Sequence, residues 1–518
     1  MVGRVEGYVS HRTYKLRPLM VKPQTLIAEC LATALATSIL TFQLFIPPVM
    51  GLADNGDYYR VSGRVGLDHA NEAHDKKYFK YLQLKYKRIE PRAFPPGFIT
   101  SEVLFAKAAL FISDNVTSSN LFDLRTLGAV HEVAFIFAFW LLMFSLRPLG
   151  LRWQIVVAAV MTLFLTDARY ICYFNSFFSE SATTIFFMST AALCLLITHK
   201  RLTSPVGWLL FLLVSILLIT SKPQYAPVGV LLALWSMWEA RPHFRGLVIA
   251  LPLVLFSLWY YARTPEVAHR VISYTVLFDE ILANSPKPED DLIFLKLDPD
   301  LVKYINTSAF SPDAPINDPD FQRRLFARFK LTDVIGFYMV HPQRLWELLK
   351  RCTPLAVEFH PFAGAYTPDS GKPAHTEPLG LWSSLRRALP KSPWFSFLML
   401  AMLTAIAITR RESFMILLVS ISVVCFLTAC IAQGTWDLSK HLHLSNLSFD
   451  MCLALAIPSI FQSRASAMRW CRRVKSLRAA PLASSMISTL CKDTNNSWDH
   501  LSIGCHLHPG RHHLQSQC

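Results

Sequence analysis

The stretch GLADNGDYYRV, Gly51 to Val61, follows directly on an apolar run, Leu26 to Met50, long enough to cross a bilayer. It carries two carboxylates, Asp54 and Asp57, three apart around an Asn55-Gly56 turn signal. A helical turn there would point both the same way. A carboxylate at the mouth of a membrane span is where an enzyme working on a lipid-borne substrate would hold a base. Plain turn chemistry competes with that reading, because Asp and Asn bond their own backbone and Gly supplies positive φ. The rest of the chain has to decide.

Of 518 residues, 52% are hydrophobic and 17% charged, and the mean hydropathy is +0.32. Soluble domains carry about 25% charged residues. Here the apolar residues come in long blocks, which makes this a polytopic membrane protein. The net charge of +15 comes with no nucleic-acid-binding motif and fits a cytoplasmic-side excess of Lys and Arg. Five of the 11 cysteines, Cys30, Cys194, Cys425, Cys430 and Cys452, fall in apolar runs and read as small core residues. No CxxC pair points to zinc or a redox dithiol.

The expected fold is all-α, with about ten transmembrane helices and helical extracytoplasmic loops. Residues 1–24 form a basic cytoplasmic N-terminus, and the first span is read as an uncleaved anchor. Residues 25–462 form the transmembrane domain. The spans run Leu26–Pro48, Leu127–Leu146, Trp153–Thr166, Phe177–Thr198, Val206–Thr220, Ala226–Trp238, Gly246–Ala262, Trp394–Thr409, Phe414–Ile431 and Leu447–Phe461. Each even-numbered span ends in a basic loop, as the positive-inside rule requires with both termini inside. Loops 51–125 and 263–393 then face outward. The first holds a basic, aromatic stretch, Lys76–Arg92, and an amphipathic run, Ile99–Ile112, read as an interfacial helix with a buried crossing as the alternative. The second shows helical spacing across DPDFQRRLFARFKLTDVIGFYMVHPQRLWELLKRC and predicts a small helical layer over the outer face. Residues 463–518 are basic and then His-rich, from Cys491 and His500 to His513 and Cys518. They match no zinc spacing and read as a disordered tail.

Charged and polar residues interrupt the outer ends of the spans. Asp54, Asp57 and Arg60 follow the first; Arg125, His131 and Glu132 lie at the second. Asp167, Arg169, Asn175 and Glu180 lie between the third and fourth, and Lys222 and Gln224 between the fifth and sixth. Asp437, Lys440, His441, His443, Asn446 and Asp450 surround the ninth and tenth. A solvated loop explains each singly, but their clustering at one face predicts a shared outer polar cavity. Carboxylates beside Lys, Arg and His suit group transfer from a phosphate-linked donor. A base takes the acceptor proton, and cations hold the leaving phosphate. A glycolipid transporter or flippase, and a non-catalytic assembly subunit, are the competing functions. For Lys222 the bland alternative is a snorkelling interfacial lysine.

An Asp pair just after the first span is similar to the mark of the GT-C membrane glycosyltransferases. More closely, GLADNGDYYRV, YFNSFFSES, SKPQ, ILANSPKPEDDL, YMVHPQRL and DLSKHLHLSNLSFD, in this order over Leu26 to Asp450, resemble the bacterial WsfD-type glycan-biosynthesis hexose transferases. The resemblance implies a multi-pass protein of the bacterial inner membrane. It would move a hexose from a polyprenyl-phosphate donor to a cell-envelope glycan or lipid acceptor on the outer side. It also implies that Asp54 and Asp57 hold the base, that the NSFFSE segment lines the cavity, and that Lys222 with Lys440 or His441 faces phosphate. Asp57 is favoured as base, since Asp54 directly precedes Asn-Gly and is better placed to cap the turn. The other carboxylate orients the site, or binds an acceptor hydroxyl or a divalent cation. No cofactor or metal motif is present in the sequence.

Overall fold

The computed structural model describes residues 23–478 apart from 71–72, 74–76, 93–96, 117–118, 241–242, 312–313, 359–365 and 374–379. The basic N-terminal segment and the His-rich C-terminal residues lie outside the described residues. Residues up to Pro458 form one unit; of the second, Ser459–Cys518, only the helical stretch to Arg478 is described.

Each of the ten apolar runs is a helix: Pro23–Phe45, Leu124–Ser145, Leu151–Leu165, Glu180–Thr198, Pro205–Ile219, Ala226–Glu239, His243–Ala262, Pro393–Arg410, Ser413–Gln433 and His443–Arg478. Prolines at the starts of several (Pro23, Pro205, Pro393) sit where a missing N–H costs nothing. Among the described residues, seven helices are long and apolar enough to cross a membrane. An eighth crossing results if Leu151–Leu165 is joined to Ala168–Asn175, from which it is bent by 56°. Pro205–Ile219 and Ala226–Glu239, at 15 and 14 residues, fall short of the ~20 a crossing needs. The expected ten spans are therefore ten helices in the expected places, of which seven or eight meet the length requirement.

Glu180–Thr198 is central, with 83% of its span buried, whereas Pro23–Phe45 and Pro393–Arg410 are peripheral at 17% and 11%. The peripheral helices turn Leu31, Leu35 and Leu398 outward, which is no penalty where the surrounding medium is hydrocarbon. Cys194, Cys425, Cys430 and Cys452 are buried as expected, but Cys30 is exposed on the outward face of the first helix. Away from the two long loops, Arg147 grips Glu29 through Nε and Nη2 at 2.5 and 2.6 Å, and Gln154 adds a bond at 2.8 Å. This ties the second and third helices to the first.

The first long loop departs from the purely helical expectation. Leu67–His69, Lys85–Arg88 and Leu121–Asp123 form a three-stranded antiparallel sheet, with Asp68 opposite Lys87 and Tyr86 opposite Phe122. The aromatic, β-branch-poor stretch hid its strands from periodicity because each is only three or four residues long. The amphipathic run is a helix, Glu102–Val116, packed along Leu124–Ser145. Its first residue, Glu102, is fully buried and pairs with His131 at 2.7 Å.

The second long loop is a helical layer, as expected: Glu266–Thr275, a π-turn Val276–Ile281, then Pro288–Phe294, Pro319–Arg324, Leu331–Val340, Pro342–Glu358 and Leu381–Arg387. Asp318 caps Pro319–Arg324, and Asp333 accepts from the Lys330 amide. Buried Tyr274, Phe278, Phe321, Phe337 and Leu348 form its core, which continues onto Ala429 and Cys430 at the end of Ser413–Gln433. The Leu381–Arg387 helix latches the layer to the bundle. Ser383 donates from N and Oγ to Asp167 at 2.9 and 3.0 Å. Trp382 Nε1 and Arg386 Nη1 donate to Asp450 Oδ2 at 2.8 and 3.2 Å.

Candidate functional site

Asp54 and Asp57 take different parts in the Ala53–Tyr58 turn. Asp54 is buried. Its Oδ1 accepts from the Gly56 and Tyr58 amides at 2.7 and 3.1 Å, and its Oδ2 meets His69 Nε2 at 2.9 Å. Gly56 has φ +98°, a value favouring glycine. Asp54 thus organises the turn and fastens it to the first strand of the sheet. Asp57 makes no such cap. Its Oδ1 pairs with Arg60 Nη2 at 2.7 Å and its Oδ2 accepts from Lys440 Nζ at 2.7 Å.

Lys440 reaches Asp57 from the far end of the chain. The helix Ser413–Gln433 ends at Gly434, and a short turn leads through Asp437, at φ +46°, into Leu438–His441. Aspartate tolerates this left-handed geometry better than most residues. The Lys440 ammonium is held between Asp57 and Asp437, both at 2.7 Å, and stands 5.2 Å over the Phe178 ring. Beside it, Lys222 Nζ donates to Glu180 Oε1 at 2.5 Å. Gln224 Nε2 donates to the His441 carbonyl at 2.8 Å, and its Oε1 meets His441 Nδ1 at 2.6 Å.

Three lysine and arginine cations are therefore interleaved with three carboxylates. Burial pushes the Asp57 carboxyl up, but the Arg60 and Lys440 charges, helped by Lys222, hold it well below the ordinary carboxylate range. Burial alone would lower Lys440; Asp57, Asp437 and Glu180 outweigh it and raise it. Burial and the neighbouring Lys440 leave Lys222 lowered despite Glu180. Burial, with Lys222 and Lys440 beside it, pushes His441 well below its usual value. Arg60 and Asp57 form the open edge, at 42% and 23% side-chain exposure against 6% for Lys440.

Of the residues singled out from the sequence, Asp57, Arg60, Glu180, Lys222, Gln224, Asp437, Lys440 and His441 come together here, with Asp54 directly beneath. The others have separate partners. His131 is fully buried between Glu102 and the Phe174 carbonyl. Asn175 Nδ2 donates to the Leu44 and Met50 carbonyls at 2.9 and 2.7 Å, pinning the exit of the first helix. Its amide crowds Gly128 so closely that a Cβ there would lie 2.1 Å from Oδ1. Asp167 belongs to the Ser383 latch, and Arg169 Nη1 donates to the Glu358 carbonyl at 2.8 Å. The single expected cavity thus resolves into one charged site and two fastening clusters. His69, Trp382 and Arg386 escaped the sequence reading. His69 and Arg386 carried no local signal beyond lying in a loop, because their carboxylate partners are 15 and 64 residues away.

As a divalent cation site the aspartate pair fits poorly. All four carboxylate oxygens of Asp54 and Asp57 already face amides, an imidazole, a guanidinium or an ammonium. Among the described residues, no three His, Cys, Asp or Glu side chains gather in a set that could hold a metal ion.

The fold and site define a helical, multi-pass membrane protein with an ion-paired polar centre on the face that carries its two long loops. The chain belongs to the YfdI N-terminal transmembrane domain family, whose model matches residues 13–477. No curated protein matches it in sequence. Among solved structures it is similar to the archaeal oligosaccharyltransferase AglB from Archaeoglobus fulgidus in complex with an inhibitory peptide and a dolichol-phosphate. The identity is 12%, the TM-score 0.39, and the match covers 89% of this chain and 54% of that one. It is also similar to the Archaeoglobus fulgidus oligosaccharyltransferase in the apo form, at 11% identity and TM-score 0.40, covering 87% and 52%. The chain spans about half the length of these structures.

Proposed function

We propose that the protein is a membrane glycosyltransferase of GT-C type. It moves a hexose from a polyprenyl-phosphate donor to a cell-envelope glycan or lipid acceptor. The reaction takes place on the outer side of the bacterial inner membrane, with both chain termini cytoplasmic. The observation that carries this reading is the placement of Lys440. A buried ammonium is shared by two carboxylates, beside a second lysine and an arginine, on the face reached directly from the end of the first span.

The chemistry follows from exchange of counter-ions. With the site as it stands, Asp57 is neutralised by Arg60 and Lys440 and is a weak base. A donor phosphate entering between Lys440, Arg60 and Lys222 competes for the same cations through charge-assisted bonds. As the cations turn to phosphate, the burial of Asp57 is less opposed and its proton affinity rises. Asp57 then takes the proton of the acceptor hydroxyl. The acceptor oxygen bonds to the sugar anomeric carbon, and the bond from that carbon to the phosphate oxygen breaks. The phosphate leaves with the electron pair, stabilised by the lysines. Asp54, engaged with two amides and His69, positions the turn. Phe178 and its neighbours in the NSFFSE segment wall the lysine.

The experiment is incubation of purified protein with radiolabelled polyprenyl-phosphate hexoses and cell-envelope lipids. Transfer of label to a glycan or lipid acceptor is expected, and it should fall in Asp57→Asn. Movement of intact donor lipid across a vesicle bilayer without sugar transfer would instead identify a flippase.

A further inference from the structure

We infer that the helix Leu331–Val340 is a membrane-inserted foot of the second loop layer, seating Ile335, Met339 and Val340 in the lipid beside the Ser413–Gln433 span. Past its first turn, where Asp333 accepts from the Lys330 amide, the helix is apolar from Val334 to Val340 apart from the Tyr338 hydroxyl. One face, with Val334, Phe337 and Tyr338, is buried in the loop core. The other is turned out. Ile335 and Met339, one turn apart, are 45% and 78% exposed, and Val340 is 60% exposed. Phe294 extends this surface; it is half exposed and packs on Phe337 and His341 at 6.0 and 5.1 Å between ring centres. Large apolar side chains gathered on an open face call for a covering partner.

The fold says what covers them. The buried face of the helix shares its cluster with Ala429 and Cys430, in the last turn of Ser413–Gln433, a helix apolar enough to cross the bilayer. Immediately after it, Pro342–Glu358 lays Trp346 against Trp394 and Phe397, at 4.8 and 5.8 Å, at the start of the Pro393–Arg410 span. Trp394 is itself exposed. Tryptophan pairs at span ends mark the boundary between headgroups and acyl chains. The buried face of Leu331–Val340 is thus anchored at the ends of two spans, which sets its open face at the depth of that boundary. Exposed Arg328 and Lys330 directly precede it, as suits anionic headgroups. The layer is therefore not merely a cover over the bundle; it stands partly in the membrane. This placement is independent of the catalytic reading.

The test replaces Met339, and separately Ile335, with photoreactive benzoylphenylalanine in the full chain. The variants are reconstituted in vesicles of phosphatidylethanolamine and phosphatidylglycerol. Illumination should give phospholipid adducts at least ten-fold above those from the same residue at exposed Glu289. Phospholipid adducts no higher than those from the Glu289 position, or cross-links to a second copy of the chain instead, would overturn the inference. A second measurement needs no variant. Peroxide added outside the vesicles should oxidise Met339 at a rate close to that of Met402, on the Pro393–Arg410 span; a several-fold faster rate would place Met339 in water and overturn the inference equally.

Discussion

Lys440 Nζ lies 2.7 Å from Asp57 Oδ2, although the two residues are 383 positions apart in the chain. With Arg60, the contact holds the Asp57 carboxyl below its ordinary range against its burial, so removing the lysine should be visible in its titration. A carboxylate whose folded pKa is depressed contributes stability that is fully present above its unfolded value, about 3.9, and is lost as the pH falls through the folded value. In Lys440→Met, burial is opposed by Arg60 and Lys222 alone. The carboxyl should therefore titrate at higher pH, and the acid limb of both sugar transfer and thermal stability should move toward neutrality. Profiles taken from about pH 3 to 8 would reveal the movement. An unmoved limb would show that Lys440 does not set the charge of Asp57.

The two aspartates should separate in their effects. Asp57→Asn should lower turnover by about 10²- to 10⁴-fold, the usual worth of general-base catalysis, with folding and insertion intact. Asp54→Asn weakens the acceptor of two amides and of His69. It should act mainly on stability, by about 1–3 kcal/mol. Thermal unfolding beside steady-state rates distinguishes them; near-wild-type transfer in both variants would leave the turn as scaffold only.

Lys222→Met should weaken donor binding, but it also strands Glu180, which is fully buried. An unpaired buried charge costs about 3–5 kcal/mol. The double variant Lys222→Met with Glu180→Gln should recover stability without recovering donor affinity. If the double variant binds donor as the wild type does, Lys222 is a structural partner of Glu180.

Gly434 opens the turn that presents Asp437 and Lys440. It has φ +61°, and a Cβ there would fall 2.5 Å from Glu280 Oε2. Glu280 is itself anchored by Arg351 and by Asn284 Nδ2 at 3.3 Å. Gly434→Ala should displace the turn and cut sugar transfer by at least ten-fold. Pairing it with Glu280→Ala should restore part of the rate. No loss in the single variant would show that the loop layer does not position Lys440.

The proposed orientation has a direct check. Asp290, exposed on Pro288–Phe294, becomes a labelling position in Asp290→Cys. A membrane-impermeant maleimide should modify it in cells whose inner membrane is intact. Labelling only after permeabilisation would invert the topology and move the site to the cytoplasm.

The helices were legible in the sequence because a bilayer demands long apolar runs and rewards basic residues at one set of ends. Composition alone therefore located all ten, from Pro23–Phe45 to the helix starting at His443. Local turn chemistry likewise pointed to Asp54 as the cap of Asn55-Gly56, where the Gly56 amide indeed bonds it. Which charges meet was another matter. Nothing near Asp57 in the chain announces Lys440, and nothing near Asp450 announces Trp382 and Arg386. His131, Asn175 and Asp167 looked like neighbours of Asp57 in a list of span mouths, yet each satisfies a separate buried partner. Periodicity records which face of a helix is apolar; it does not record how helices rotate and pair. A buried charge must find its counter-charge wherever packing brings one, so the pairing of Asp57 with Lys440 was decided only in the folded bundle.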